Sequence, residues 1–375
     1  MKNHDLLTKT AGALARAKEA LKAKPALVGF DGFVDEIVRI VDKRSSLQAY
    51  AAIPTIATLA ERIAGAAGKG TNIELVVQRI KLGGNGPIMA NALGAFGAPV
   101  TYIGNLGYPA LHPVFEELAQ RANVISIANP GHTDALEFDD GKLMLGKHET
   151  LKDVTWDNLI QRVGEEKLKL LFSGAHLISL NNWTMLPYMS DIWKNIQQHI
   201  CPHLPAASKE HFIFFDLADP EKRLAADIRV ALELIAKFQN YFQVILGTNE
   251  KESFEIAEVL GISQPDNRQE SMMRMAAELH AKLGVHNLVI HPVQYAVAAS
   301  AGEVKLVDGP WDPKPLISTG AGDHFNAGFC LGRLLGFDLE MSLLTGVTTS
   351  GFYVRTAKSP AIDDLINFMH NWPES

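Results

Sequence analysis

This 375-residue sequence predicts an α/β fold in which a central, mostly parallel sheet is covered by helices on both faces. Short uninterrupted apolar runs recur along most of the chain, as expected of strands buried on both sides. Amphipathic stretches with helical spacing separate many of these runs. Polar and glycine-rich residues cluster just past several of them, where sheets of this kind hold their ligands.

Up to Lys24, apolar side chains alternate with Lys and Arg, which is the pattern of an amphipathic helix and not of a signal peptide. Ala26–Gly29 is a first strand closed by glycine. Val100–Ile103, Val124–Ile127, His176–Leu180, Phe212–Phe215, Phe242–Leu246 and Leu288–Ile290 continue the series. Helices are expected over Ile88–Phe96, Val114–Ala122, Leu224–Phe238 and Ser253–Leu260, and from Phe325 onward. Phe33–Val41 and Ile73–Leu82 read as strands that leave the core and return, and Asp134–Gly146 as a hairpin about Asp139-Asp-Gly141. An Ala-rich helical insertion, about 49–67, lies between the first two. No repeat or low-complexity linker divides the chain, so 1–375 reads as a single core domain with these excursions.

An apolar content of 47% is enough for a large core. The net charge of −7 is spread without blocks, which argues against nucleic acid or an anionic membrane as partner. Cys201 and Cys330 stand alone, without the pattern of a disulfide frame or a zinc site, so a reducing cytoplasm is the expected location. No run approaches the length of a membrane span. The thirteen histidines include no His-Glu-x-x-His signature, and transition-metal catalysis has no support.

The most informative stretch is Ile317-Ser-Thr-Gly-Ala-Gly-Asp323-His-Phe-Asn-Ala-Gly-Phe329. Gly320 and Gly322 permit a sharp turn and close approach to a ligand. The free N–H groups of the helix that follows make an anion site, expected from Gly320, Ala321 and Gly322. Asp323 at this mouth is placed to take a proton from an attacking hydroxyl, or to cap the helix. Asn249 and Glu252, three residues apart, share one helix face. They suit a magnesium ion held through water, or a capping box, and the two roles are compatible. Asp31 and Asp35, flanking Gly32-Phe-Val34, are candidate acceptors for ligand hydroxyls, or ordinary surface carboxylates of an exposed strand. Gly65-Ala-Ala-Gly-Lys69 fails as a P-loop, because Ile63 and Gly70 occupy positions that need Gly and Ser or Thr. Gly84-Asn-Gly86 lacks the third glycine of a dinucleotide fingerprint, and Pro87 is expected at a helical N1.

Thr319-Gly-Ala-Gly-Asp323 resembles the C-terminal signature of the ribokinase-like (PfkB) carbohydrate kinases. Gly29 with Asp31 and Asp35, Gly83-Gly-Asn-Gly-Pro87 and Asn249-Glu-Lys-Glu252 resemble other landmarks of that family, in the expected order over about residues 26–356. The resemblance implies a three-layer α/β sandwich with a mostly parallel sheet. The segments at about 33–43, 72–82 and 132–147 would form a small β-sheet lid over the sugar. It further implies sugar contacts from Asp31, Asp35, Gly83, Gly84 and Asn85. Nucleotide contacts would come from Asn249, Thr319, Gly320 and Gly322, with ATP as co-substrate and Mg2+ beside Glu252 and Asn249. The family pattern allows a homodimer through the lid. Three departures stand out. Ile317 replaces an aspartate that helps hold a monovalent cation, so potassium activation is not expected. His291-Pro-Val-Gln-Tyr295 replaces a glycine-containing nucleotide turn. Asp216-Leu-Ala-Asp219 only loosely matches the family run, with Asp219 in place of asparagine. The expected activity is transfer of the γ-phosphoryl group of ATP to a sugar hydroxyl. An ADP-dependent sugar kinase and a non-catalytic sugar-binding protein of the same fold are the alternatives.

Overall fold

The computed structural model describes residues 2–264, 266 and 268–373. The first half contains α1 (Lys2–Ala17), β1 (Ala26–Phe30), β2 (Phe33–Arg44), β3 (Tyr50–Ala52), α2 (Ile56–Gly65), β4 (Leu75–Gly83), α3 (Asn85–Ala95), β5 (Val100–Gly104), α4 (Glu116–Ala119), β6 (Ala122–Ser126), β7 (Gly131–Phe138), β8 (Gly141–Lys147), α5 (Trp156–Val163), α6 (Glu165–Gly174) and β9 (Leu177–Asn181). After these come α7 (Met189–Asn195), β10 (Phe212–Asp216), α8 (Ala225–Lys237), β11 (Gln243–Thr248), α9 (Glu250–Leu260), α10 (Gln269–Leu283), β12 (Asn287–Ile290), β13 (Tyr295–Ser300), β14 (Glu303–Asp308), α11 (Ala321–Leu334), α12 (Leu339–Thr356) and α13 (Ile362–His370).

The apolar runs assemble into a nine-stranded sheet in the order β14-β13-β12-β11-β10-β9-β1-β5-β6, parallel from β12 to β6. β13 and β14 are added antiparallel at one edge. β1 and β9 are buried along their whole length, which is why they show no polar alternation. Successive side chains still part to opposite faces. On β10, Phe214 enters one apolar core and Phe215 the other. Helices α5 to α10 cover the Phe215 face, and α1, α3 and α11 to α13 the Phe214 face.

From β1 the chain builds outward through β5 and β6, then returns to β9 and builds the other way. The crevice at this reversal opens at the carboxyl ends of the strands, and Asp31, Asn182 and Asp216 lie there. The segments at 33–43, 72–82 and 132–147 carry the second, smaller sheet. In it β2 pairs antiparallel with β4 and parallel with β7, and β8 closes a hairpin with β7.

Some expectations need correction. The stretch at 49–67 is not helical throughout: Tyr50–Ala52 pairs with β2, and the helix covers only Ile56–Gly65 from a Thr55 cap. Val114–Ala122 holds one short helix, and Ala122 already belongs to β6. Pro87 occupies the third helical position and not N1, because α3 starts at Asn85.

Candidate active site

The site is built around the start of α11. Gly320 caps the helix at φ 94°, a conformation that favours glycine. A Cβ there would lie 3.2 Å from the Tyr353 hydroxyl. Tyr353 Oη donates to Thr319 O at 2.9 Å, and the His324 ring stacks on Tyr353 with Nδ1 2.7 Å from Gly320 O. Beneath Gly322 lies His291, and a Cβ at that glycine would sit 3.1 Å from the imidazole. The expected anion hole is reduced by one donor, since Ala321 N–H is turned back onto Ser318 O at 3.2 Å. The N–H groups of Gly320 and Gly322 have no backbone acceptor among the described residues and remain available.

Asp323 is buried on the third residue of this helix, and Asn85 Nδ2 donates to its Oδ1 at 2.9 Å. Burial pushes its carboxyl up to about 8. Asp31 and Glu252 add repulsion, while Asn85 and Lys81 pull the other way. Asp35, on β2, is also buried and raised by desolvation, opposed by Lys81 and by a hydrogen bond from Thr133. Gly83 is required beneath it, because a Cβ there would come within 2.4 Å of the carboxylate.

Asp31 has a different place from the one expected. Its Oδ1 accepts from Gly86 N at 2.9 Å, and its Oδ2 from Asn85 N at 2.9 Å and Asn182 Nδ2 at 2.8 Å. The carboxylate therefore ties β1 to the N-terminus of α3 and does not line the sugar-sized cavity. Gly84, at φ 96°, and Gly86 leave room for it. Burial raises Asp31 to about 6.

Two cavities meet at the α11 start from opposite sides. One, of about 290 Å3, is lined by Asp35, Gly84, Asn85, Thr133, Asn182, Lys222, Thr319, Gly320 and Asp323 together with Met144 of β8 and His148 just past it. The other is a cleft of about 360 Å3 between Asn249, His291, Pro310, Trp311, Ala321, Gly322 and Val347. No described residue lines both. Asn249 and Glu252 form a full capping box: Glu252 N donates to Asn249 Oδ1, and Asn249 N to Glu252 Oε2, each at 2.9 Å. Glu252 Oε1 also accepts from Asp219 N at 2.9 Å. Asn249 faces the cleft, whereas Glu252 is buried behind it. Asp216 accepts from Ala218 N and Asn326 Nδ2, and burial with Glu252 and Asp323 nearby raises it well above the carboxylate range. His291 is held neutral by burial, down to about 4, and rests on Phe325.

Asp216, Glu252 and Asp323 resist ionisation, burial being the first cause in each and repulsion from neighbouring carboxylates the second, which for Glu252 are Asp219 and Glu255. The described residues hold no group of three or more His, Cys, Asp or Glu side chains around one ion. A magnesium ion here would take most of its ligands from phosphate and water.

Sequence reasoning missed Lys81, Thr133, Asn182, Lys222 and Trp311. Asn182 had a usable signal, since it follows a strand run just as Asp216 does. The others reach the site only through the register of the smaller sheet or a remote loop.

Residues 6–372 match the prokaryotic ketohexokinase family. A ketohexokinase from Haloferax volcanii is 30% identical over 344 residues, covering 91% of this chain and 90% of that protein. Among solved structures, a carbohydrate kinase from Agrobacterium tumefaciens superposes with TM-score 0.62 at 17% identity, over 94% of this chain and 98% of that one. Arabidopsis thaliana ribokinase complexed with ribose and ATP gives 0.60 at 15% identity, over 92% and 98%. The likeness to the solved structures is one of fold: a large mostly parallel sheet with a smaller sheet beside it.

Proposed function

Because the chain belongs to the prokaryotic ketohexokinase family, a family of sugar kinases, we propose that it transfers the γ-phosphoryl group of ATP to a hydroxyl of a ketohexose. One observation carries the reading: Asp323, a buried carboxylate with a raised pKa, stands between a small polar cavity and a cleft with an aromatic wall. Asn85 occupies Oδ1, which leaves Oδ2 to take the proton of the acceptor hydroxyl. A base poised near operating pH does this best. Asp35 accepts sugar hydroxyls from the lid side, and Asn85 and Asn182 complete the cavity wall. The Gly320 and Gly322 N–H groups, backed by the α11 dipole, hold the phosphoryl oxygens. Trp311 and Pro310 offer apolar surface to the base of the donor, and Asn249 faces its phosphates. Magnesium, when bound, supplies neutralisation of phosphate charge beside Asn249, with Glu252 fixing the orientation of that residue. Closure of the lid over the cavity would keep water from competing as acceptor.

A coupled assay over a panel of ketoses and aldoses, with ATP or ADP as donor, tests the reading. Turnover that needs both a ketohexose and ATP is expected. Turnover with ADP alone, or with aldoses alone, would overturn it.

A further inference from the structure

One buried carboxylate at the crevice has no part in the kinase reading. Asp31, just past β1, is 0% exposed and lines neither the sugar cavity nor the nucleotide cleft. Burying a charge is costly unless hydrogen bonds answer it, and here three N–H groups do so. Gly86 N donates to Oδ1 at 2.9 Å, and Asn85 N and Asn182 Nδ2 donate to Oδ2 at 2.9 and 2.8 Å. The fit is close. A Cβ at Gly84 would lie 2.7 Å from Oδ2, and one at Gly86 2.6 Å from Oδ1. Tyr102 Oη donates to the main-chain oxygen of Asp31, so the backbone there is tied down as well.

Two of the donors carry this order into the site. Asn85 donates with its backbone to Asp31 and with its side chain to Asp323, the latter at 2.9 Å. Asn182 stands at φ 60°, uncommon outside glycine, and its Oδ1 accepts from Met185 N at 3.3 Å. Both asparagines line the sugar cavity, and one carboxylate outside that cavity holds them both. We propose that Asp31 is a positioning residue for phosphoryl transfer: through Asn85 it fixes Asp323 so that Oδ2 faces the acceptor hydroxyl, and through Asn182 it holds the cavity wall nearby. The inference rests on the kinase reading, in which Asp323 takes the proton of that hydroxyl. A carboxyl free to turn would present its oxygen at the wrong place, and a misplacement of about 1 Å can cost on the order of 10²-fold in rate.

A carboxylate that only caps α3 would serve the fold alone, and a double-mutant cycle separates the two roles. The kcat of the full chain is measured for wild type, Asp31→Ala, Asn85→Ala and the double variant, with a ketohexose, ATP and magnesium. Asp31→Ala should lower kcat roughly 10–10²-fold when Asn85 is present. Once Asn85 is alanine, it should cost no more than about two-fold further. An equal loss in both backgrounds, or no loss in either, overturns the proposal. Asp31→Ala leaves three donors unpaired; if it does not fold, Asp31→Asn, which keeps one acceptor oxygen, takes its place in the cycle.

A second readout needs no turnover: the carbon-13 resonance of the Asp323 carboxyl, assigned by its loss in Asp323→Asn. Lys81, Asp216 and Glu252 also act on this group and stay in place in every variant. Asn85 pulls Asp323 down more strongly than Asp31 pushes it up. Loss of Asp31 that releases Asn85 therefore raises the titration midpoint, as Asn85→Ala does. Loss of Asp31 that leaves Asn85 in place removes only the repulsion and lowers it, and a lowered midpoint also overturns the proposal. A wild type that phosphorylates no sugar would sink the kinase reading, while this midpoint would still decide whether Asp31 positions Asp323.

Discussion

At the scale of the residue, Asp323 must ionise to work in surroundings that resist ionisation. Asp323→Asn keeps the shape and can still accept from Asn85 Nδ2, but it cannot take a proton. A loss of about 10²–10⁴-fold in kcat is expected, with sugar binding largely retained in a direct titration. The same carboxyl makes a prediction about stability. Its folded-state pKa of about 8 lies above the ordinary value of 3.8, so between these limits the folded chain binds more protons than the unfolded one. Stability therefore falls as pH rises through that window. The ligand-free Asp323→Asn variant should melt with the wild type near pH 4 and above it at pH 8, by scanning calorimetry. A lower melting point at pH 8 would show that the charge is satisfied within the fold. Asp323 was legible in the sequence because a glycine-rich turn into a helix announces itself locally. Lys81 was not, because it meets Asp35 only through the pairing of β2 with β4.

At the scale of the element, the start of α9 combines capping with support of the site. Glu252→Gln places an amide N–H2 where the carboxylate now accepts from Asn249 N and Asp219 N. About 1–2 kcal/mol of stability should be lost, in the range of a broken cap. The magnesium concentration for half-maximal rate should rise as well. An unchanged magnesium titration would leave Glu252 with capping alone. The loop before α11 yields a second prediction. Ile317 is half-buried and lines the cavity between the small sheet and the loop before α11. It offers no ligand oxygen, so rates in potassium, sodium and a large organic cation should agree at matched ionic strength. A several-fold activation specific to potassium would refute this. Strands buried on both faces were readable as unbroken runs. The antiparallel pair β13 and β14 was not foreseen, since short Ala-rich alternation at a sheet edge gives a weak signal.

At the scale of the whole molecule, the smaller sheet leaves β4 as an edge strand with Leu75 45% and Val77 46% exposed. Edges of this kind invite pairing with a second copy. Light scattering should report a dimer in solution that Val77→Asp dissociates; a monomer at all concentrations would limit the lid to its own chain. The division of the binding surfaces reaches further. The proposed sugar cavity draws its walls from the small sheet, the start of α3 and the loops after β9 and β10, and the proposed nucleotide cleft from the loop after β12, α12 and the loop between β14 and α11, with no described side chain in common. Changes of taste for one substrate can therefore accumulate in a lineage without retuning the grip on the other. Only at the start of α11 do the two surfaces meet, with Thr319, Gly320 and Asp323 on one side and Ser318, Ala321 and Gly322 on the other, and this short run is what such drift must leave alone.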